Sequence, residues 1–119
     1  MPRYVVLEHE WGGVHFDLML ERGESLAPWA IDRPIVFGVE LPARSLSAHR
    51  LAYLEYEGPV SGGRGTVRRI DAGTYKARSW APDRVVVELS GGSLAGIVEL
   101  RRSLSGGAEG WTARFGKAD

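Results

Sequence analysis

Short apolar runs, several alternating with polar residues, recur along the chain between Gly, Pro, Asp and Ser breaks. Alternation of this kind marks a strand with one face in a core and the other toward water. Ten runs stand out, at 4–10, 14–22, 26–31, 35–39, 51–57, 65–70, 74–80, 84–89, 96–102 and 111–115. None carries a long helical period; Pro42–Leu46 suits one short helical turn. Turn signals this closely spaced predict an all-β sandwich or barrel. Ser90-Gly91-Gly92-Ser93 and Asp71-Ala72-Gly73 are expected hairpin turns, and 103–110 a mobile loop before the last strand.

One hairpin carries chemistry. If Trp11-Gly12-Gly13 is a three-residue loop, Glu10 faces Val14 and His9 falls opposite His15. Opposed residues have Cβ atoms about 4.5–5.5 Å apart. Asp17, two residues beyond His15, points to the same face. The other face of that strand is Val14, Phe16, Leu18 and Leu20, which reads as core. Two imidazoles and a carboxylate suit a divalent first-row metal with open positions. Such an ion polarises a phosphoryl oxygen or activates water. The bland alternative is a surface histidine pair beside a solvated aspartate.

Composition bounds the rest. The chain has 119 residues, 44% hydrophobic and 25% charged, which fits a single soluble domain spanning 1–119. No apolar run approaches the length of a membrane span, and no leader is evident, so a cytoplasmic location is expected. Net charge is zero, so no global field draws the chain to nucleic acid. Its bases are 13 Arg and 2 Lys; arginine suits bidentate phosphate contacts, though codon bias explains the same ratio. The absence of cysteine excludes thiolate metal sites. Ser61-Gly62-Gly63-Arg64-Gly65 lacks the lysine and helix of a phosphate-binding P-loop. Trp29, Trp80 and Trp111 read as core, whereas Trp11 sits beside the metal-type patch, where it can stack on a terminal base. Glu57 is a candidate for orienting a histidine, against the simpler reading of a solvated strand face.

At these residues the chain resembles the 3′-phosphoesterase domain of bacterial DNA ligase D. The resemblance begins with the His-x5-His-x-Asp spacing of His9, His15 and Asp17, followed by Leu18-Met19-Leu20-Glu21. It continues through Trp29-Ala30-Ile31-Asp32-Arg33-Pro34 and His49-Arg50-Leu51-Ala52-Tyr53-Leu54-Glu55-Tyr56-Glu57-Gly58. Gly65-Thr66-Val67, Gly73-Thr74-Tyr75 and the Leu94 to Lys117 stretch complete it in order.

The resemblance implies a compact, closed or nearly closed β-barrel of about eight antiparallel strands with little helix. It implies a metal-dependent enzyme that trims DNA 3′ ends by removing a terminal ribonucleoside and then a 3′-phosphate. By matched position His9, His15 and Asp17 bind the metal, manganese by the resemblance, with zinc or iron open to the same donors. His49 contacts the scissile phosphate or assists the leaving oxygen, Tyr53 supports it, and Arg33 replaces a phosphate-binding lysine. The implied partners are DNA or DNA/RNA 3′ ends, with a ligase or polymerase in trans, and the expected state is a monomer without membrane contact.

The chain departs from that pattern at Met19, where the family has an arginine on the face of His15 and Asp17. A thioether neither carries charge nor donates a hydrogen bond. Losing one such clamp typically costs about 10²–10³ in rate. Ser47-Ala48 also replaces an acidic pair before His49. Arg3, Arg44, Arg50, Arg64 and Arg68 are candidates to substitute for the missing cation. Three readings therefore stand: an active 3′-end phosphoesterase, a catalytically weak metal- or DNA-end-binding module, and an iron oxygenase-like use of His15, Asp17 and His49. The sequence around the last lacks the oxygenase pattern.

Overall fold

The computed structural model describes residues 1–103 and 110–118. Its strands are β1 (Arg3–Glu10), β2 (Val14–Arg22), β3 (Ser25–Ile31), β4 (Glu40–Ser45), β5 (Gly58–Pro59), β6 (Thr66–Ala81), β7 (Arg84–Ser90), β8 (Gly96–Arg102) and β9 (Gly110–Gly116). They form one sheet in the order β1-β2-β3-β4-β9-β8-β7-β6-β5, and β6 also pairs with β1. That extra pairing closes a ring of eight antiparallel strands, with β5 appended to β6. Closure removes the open edges that an eight-stranded sheet would otherwise expose. The all-β barrel expected from the sequence is present.

The first strand shows how the barrel wall is built. Tyr4 and Val6 point inward to a core shared with Leu18, Leu20, Trp29, Val87, Leu100 and Phe115. Val5 and Leu7 point outward, yet they too are fully buried, against Met19, Leu26, Leu54 and Val67. The unbroken apolar run Tyr4–Leu7 is thus needed on both faces. The outer cluster exists because residues between β4 and β6 fold back over β1, β2 and β3. His49 bridges Leu26 of β3 through two backbone hydrogen bonds (3.0 and 2.8 Å), and a 3-10 turn at Leu51–Leu54 presses Leu54 onto the wall.

Four local expectations are corrected. Residues 35–39 are not a strand: Gly38 turns the chain at φ +82°, and Ile35 and Phe37 pack against the barrel core. Residues 51–57 contain the 3-10 turn, so the alternation of Tyr53, Glu55 and Glu57 is not that of a strand. Pro42–Leu46 is not helical; it lies mostly in β4, where Leu41 and Ala43 point inward and Pro42 and Arg44 outward. Finally, Asp71-Ala72-Gly73 is no hairpin. Residues 66–81 run as one 16-residue strand whose first half pairs with β1 and whose second half pairs with β7.

A bulge at Ile70 lets β6 serve both neighbours: Val6 pairs with Asp71 and Leu7 with Arg69. The Asp71 carboxylate accepts hydrogen bonds from the Tyr4 hydroxyl (2.6 Å), the Ser93 and Leu94 amides (2.8 and 3.1 Å) and the Ser93 hydroxyl (3.2 Å). It therefore ties β1 and β6 to the β7–β8 turn, which is where the sequence places it. Burial, followed by the Asp71 hydrogen bond and charge, pushes the Tyr4 phenol well above its ordinary pKa. The expected loop at 103–110 lies, over residues 104–109, outside the described residues.

Candidate metal centre and anion pocket

The β1–β2 hairpin has the register that a three-residue loop requires: Glu10 pairs with Val14, His9 with His15 and Leu7 with Asp17. Gly12 and Gly13 take φ values of +64° and +142°, which allow the loop to close. Odd-numbered residues of both strands face outward. The inward side of β2 carries Leu18 and Leu20 in the core, with Phe16 partly covered and Val14 exposed at the rim.

His9, His15 and Asp17 converge, each offering a donor atom within 4.8 Å of the others. The His15 Nδ1 lies 2.7 Å from Asp17 Oδ1, and the His9 Nδ1 lies 3.5 Å from Asp17 Oδ2. Asp17 is 2% exposed, the sole buried charged residue among those described. A buried carboxylate requires charge or hydrogen-bond partners; here both oxygens face imidazole nitrogens.

The ring orientations suit a cation. His9 Nε2–H donates to the Arg64 carbonyl at 2.8 Å, so the neutral ring keeps a bare Nδ1 toward Asp17. Metal-binding histidines are commonly held in this way, through the ring nitrogen that does not ligate. The donor set, one hard oxygen and two imidazoles, fits manganese, iron or zinc by chemistry alone.

These residues open into a cavity of about 310 Å³ on the outer wall of the barrel. Met19, Leu46, Val60 and Val67 make its apolar lining, while Trp11, Arg44, Arg64, His49 and Tyr53 complete the walls. His49 Nδ1–H donates to the Ser47 carbonyl at 2.8 Å, leaving Nε2 bare in the neutral ring, and Tyr53 packs beside it at 5.7 Å between centroids. Trp11 is 55% exposed and stacks near His9, at 6.1 Å and 23°.

Sequence reasoning placed His9, His15, Asp17, His49 and Tyr53 at one site, and the fold brings all five to the same cavity. His49 lines it without belonging to the three-donor cluster. Arg33 is exposed after β3 and does not line the cavity. Glu57 orients no histidine; it accepts from the Arg69 amide at 2.9 Å, and the partner of His9 is instead a backbone carbonyl. The sequence did not point to that carbonyl, although its neighbour Gly65 was visible in a Gly-rich loop. Trp29 is buried, with Trp80 and Trp111 edge-on to it at 6.0 and 5.7 Å, so these three serve the core.

A closed barrel carrying a His-His-Asp cluster in an outer-wall cavity bordered by two arginines is the class of scaffold that this fold and site define. Residues 7–102 match the DNA Ligase D 3′-phosphoesterase domain, and the chain belongs to this family of DNA-repair phosphoesterase domains. The multifunctional non-homologous end joining protein LigD of Mycobacterium bovis is 32% identical over 84% of the chain. The multifunctional non-homologous end joining DNA repair protein LigD of Mycobacterium tuberculosis gives the same figures. The chain spans 14% of the length of each of these relatives. No helix among the described residues is long and apolar enough to cross a membrane.

Proposed function

We propose that this chain is a metal-dependent phosphoesterase acting on DNA 3′ ends, where it removes a terminal ribonucleoside and then the remaining 3′-phosphate. The convergence of His9, His15 and Asp17 in a cavity shared with His49 supports this reading most directly. A divalent cation, manganese by family, would polarise the phosphoryl oxygen when bound to those three residues. His15 and Asp17 orient one another, while the Arg64 carbonyl holds the His9 ring. His49, with Nδ1–H given to Ser47, in its protonated form donates Nε2–H to a phosphate oxygen or gives that proton to the departing oxygen. Tyr53 limits the tilt of that ring. Arg33, outside the cavity, is assigned to the phosphate backbone of the approaching strand. The chain is read as a monomeric cytoplasmic domain, with any ligase or polymerase acting in trans.

The test is a primer ending in 3′-phosphate, incubated with manganese. Conversion to a 3′-hydroxyl is expected, and product no greater than that of His9→Ala would sink the reading. A second reading is favoured by Met19, a buried thioether in the cavity where the family carries a cation. It holds that the domain retains DNA ends with little turnover. Rapid conversion by the wild type rejects it.

A further inference from the structure

We propose that Arg44, on β4, supplies the anion-binding cation that position 19 lacks, reaching a terminal phosphate from the far side of Asp17. The role presupposes the 3′-phosphate substrate proposed above; its geometry comes from strand register.

Asp17 pairs with Ala30 across β2 and β3, and Ala30 pairs with Arg44 across β3 and β4. Directly opposed residues share a face. Asp17, Ala30 and Arg44 therefore form one row on the outer wall; on the other side of Asp17 the row continues to Leu7 of β1, with His9, opposite His15, diagonal to Asp17. Strands lie about 4.8 Å apart, which puts the Asp17 and Arg44 backbones about 10 Å from each other. Only the methyl of Ala30, fully buried, stands between them. A long arginine stem can lie across such a position, and Arg44 lines the cavity that holds His15 and Asp17. A tetrahedral oxyanion seated in that cavity would have the metal ligands on one side and a guanidinium on the other.

The remaining arginines near the site are committed differently. Arg3 faces Glu55 at 3.8 Å and Arg68 takes Glu8 at 2.5 Å. Arg64 borders the cavity, but its Nε and Nη2 fold back onto Ser61 at 2.8 and 3.3 Å. Arg50 borders a neighbouring cavity. Among the described residues Arg44 has one loose contact, Nη2 to Asp32 Oδ1 at 3.4 Å, with both side chains about half exposed. A guanidinium carries five N–H donors, so most of its capacity remains for a ligand. The fork geometry matches phosphate oxygens in pairs, a match that an ammonium does not reproduce.

Inorganic phosphate is the probe, because it is not turned over. It is titrated calorimetrically into protein saturated with manganese, and manganese affinity is measured separately for each variant. Wild type binds phosphate in a manganese-dependent manner. Arg44→Ala weakens phosphate binding roughly 10- to 100-fold, the size of a lost charge-assisted contact, with manganese affinity unchanged. Arg44→Lys falls between, and Arg78→Ala, whose partner Glu88 lies on another strand pair, matches wild type. Melting curves establish that each variant is folded; if Arg44→Ala is not, Arg44→Gln and Arg44→Lys are compared instead. Equal phosphate affinity in wild type and Arg44→Ala overturns the proposal, as does a wild type that binds no phosphate. Arg44-dependent phosphate binding without turnover of a 3′-phosphate primer upholds the anion site and rejects the phosphoesterase reading.

Discussion

Gly65→Ala tests how the loop before β6 controls the metal centre. Gly65 has φ +78°, and a Cβ added there would lie 1.8 Å from the Glu10 carbonyl oxygen and 2.8 Å from the Trp11 Cβ. The obstacle is backbone, so the loop must move by well over an ångström to reach ordinary contact. Two hydrogen bonds depend on its present position: Val60 N–H to Gly65 O at 2.8 Å, and His9 Nε2–H to Arg64 O at 2.8 Å. Alanine in the left-handed region costs about 1–2 kcal/mol, and each lost hydrogen bond about 0.5–1.5 kcal/mol. Together these destabilise the chain by roughly 2–5 kcal/mol. Loss of the partner that orients His9 weakens manganese binding about 10- to 100-fold.

Gly63→Ala is the matched control. It lies in the same loop at φ +69°, with no atom within 4 Å of the added Cβ. It carries the conformational cost, about 1–2 kcal/mol, and leaves His9 held. Calorimetric titration with manganese and thermal melting of both variants separate the two effects. Manganese affinity in Gly65→Ala equal to that in Gly63→Ala would refute the idea that the Arg64 carbonyl positions His9.

Other outcomes follow from the same structure. Asp17→Asn keeps the shape of the buried carboxylate but removes its charge; manganese affinity falls by about two orders of magnitude, and the rise in Tm on adding manganese disappears. Asp71→Ala strips four donors of their acceptor and leaves the buried Tyr4 hydroxyl without a partner; a loss of about 3–5 kcal/mol is expected in urea unfolding. Alkaline pH weakens the fold through Tyr4 and Tyr75. Burial is the leading cause of the raised phenol pKa in both. The folded state thus favours the protonated phenol, so this stabilisation is whole below about pH 10, the unfolded value, and is lost as pH rises through the folded value. Tm measured from pH 9 upward should fall more steeply for wild type than for Tyr4→Phe; parallel curves would remove Tyr4 from the account.

Legibility in the sequence followed sequence distance. The His9–His15 register was readable because a three-residue loop leaves almost no freedom, and Asp17 followed from strand alternation. The long strand β6 was misread because Asp71-Ala72-Gly73 has turn composition. Its residues are there for tertiary reasons: Asp71 to accept from the β7–β8 turn, and Gly73 because an added Cβ would meet the Ser90 carbonyl oxygen at 2.1 Å. Likewise 51–57 has strand-like alternation, yet Leu54 is buried on the outer wall through a 3-10 turn. Arg44 stood among five candidate arginines, because the pairings that place it in the row of Asp17 join residues 13 and 14 positions apart.

The placement of the site on the outer wall has a consequence for how this domain can change. Along β1 and β2, even positions such as Tyr4, Val6, Leu18 and Leu20 belong to the barrel interior, while odd positions carry His9, His15, Asp17 and Met19. One ribbon thus holds two interleaved texts, one written for the barrel interior and one for the outer cluster and, toward the hairpin, for chemistry. Substitution at an odd position near the hairpin leaves the interior text untouched, so a clamp can migrate from one strand to another while the barrel stays the same. A single-residue insertion in either strand, by contrast, would exchange the two texts at once.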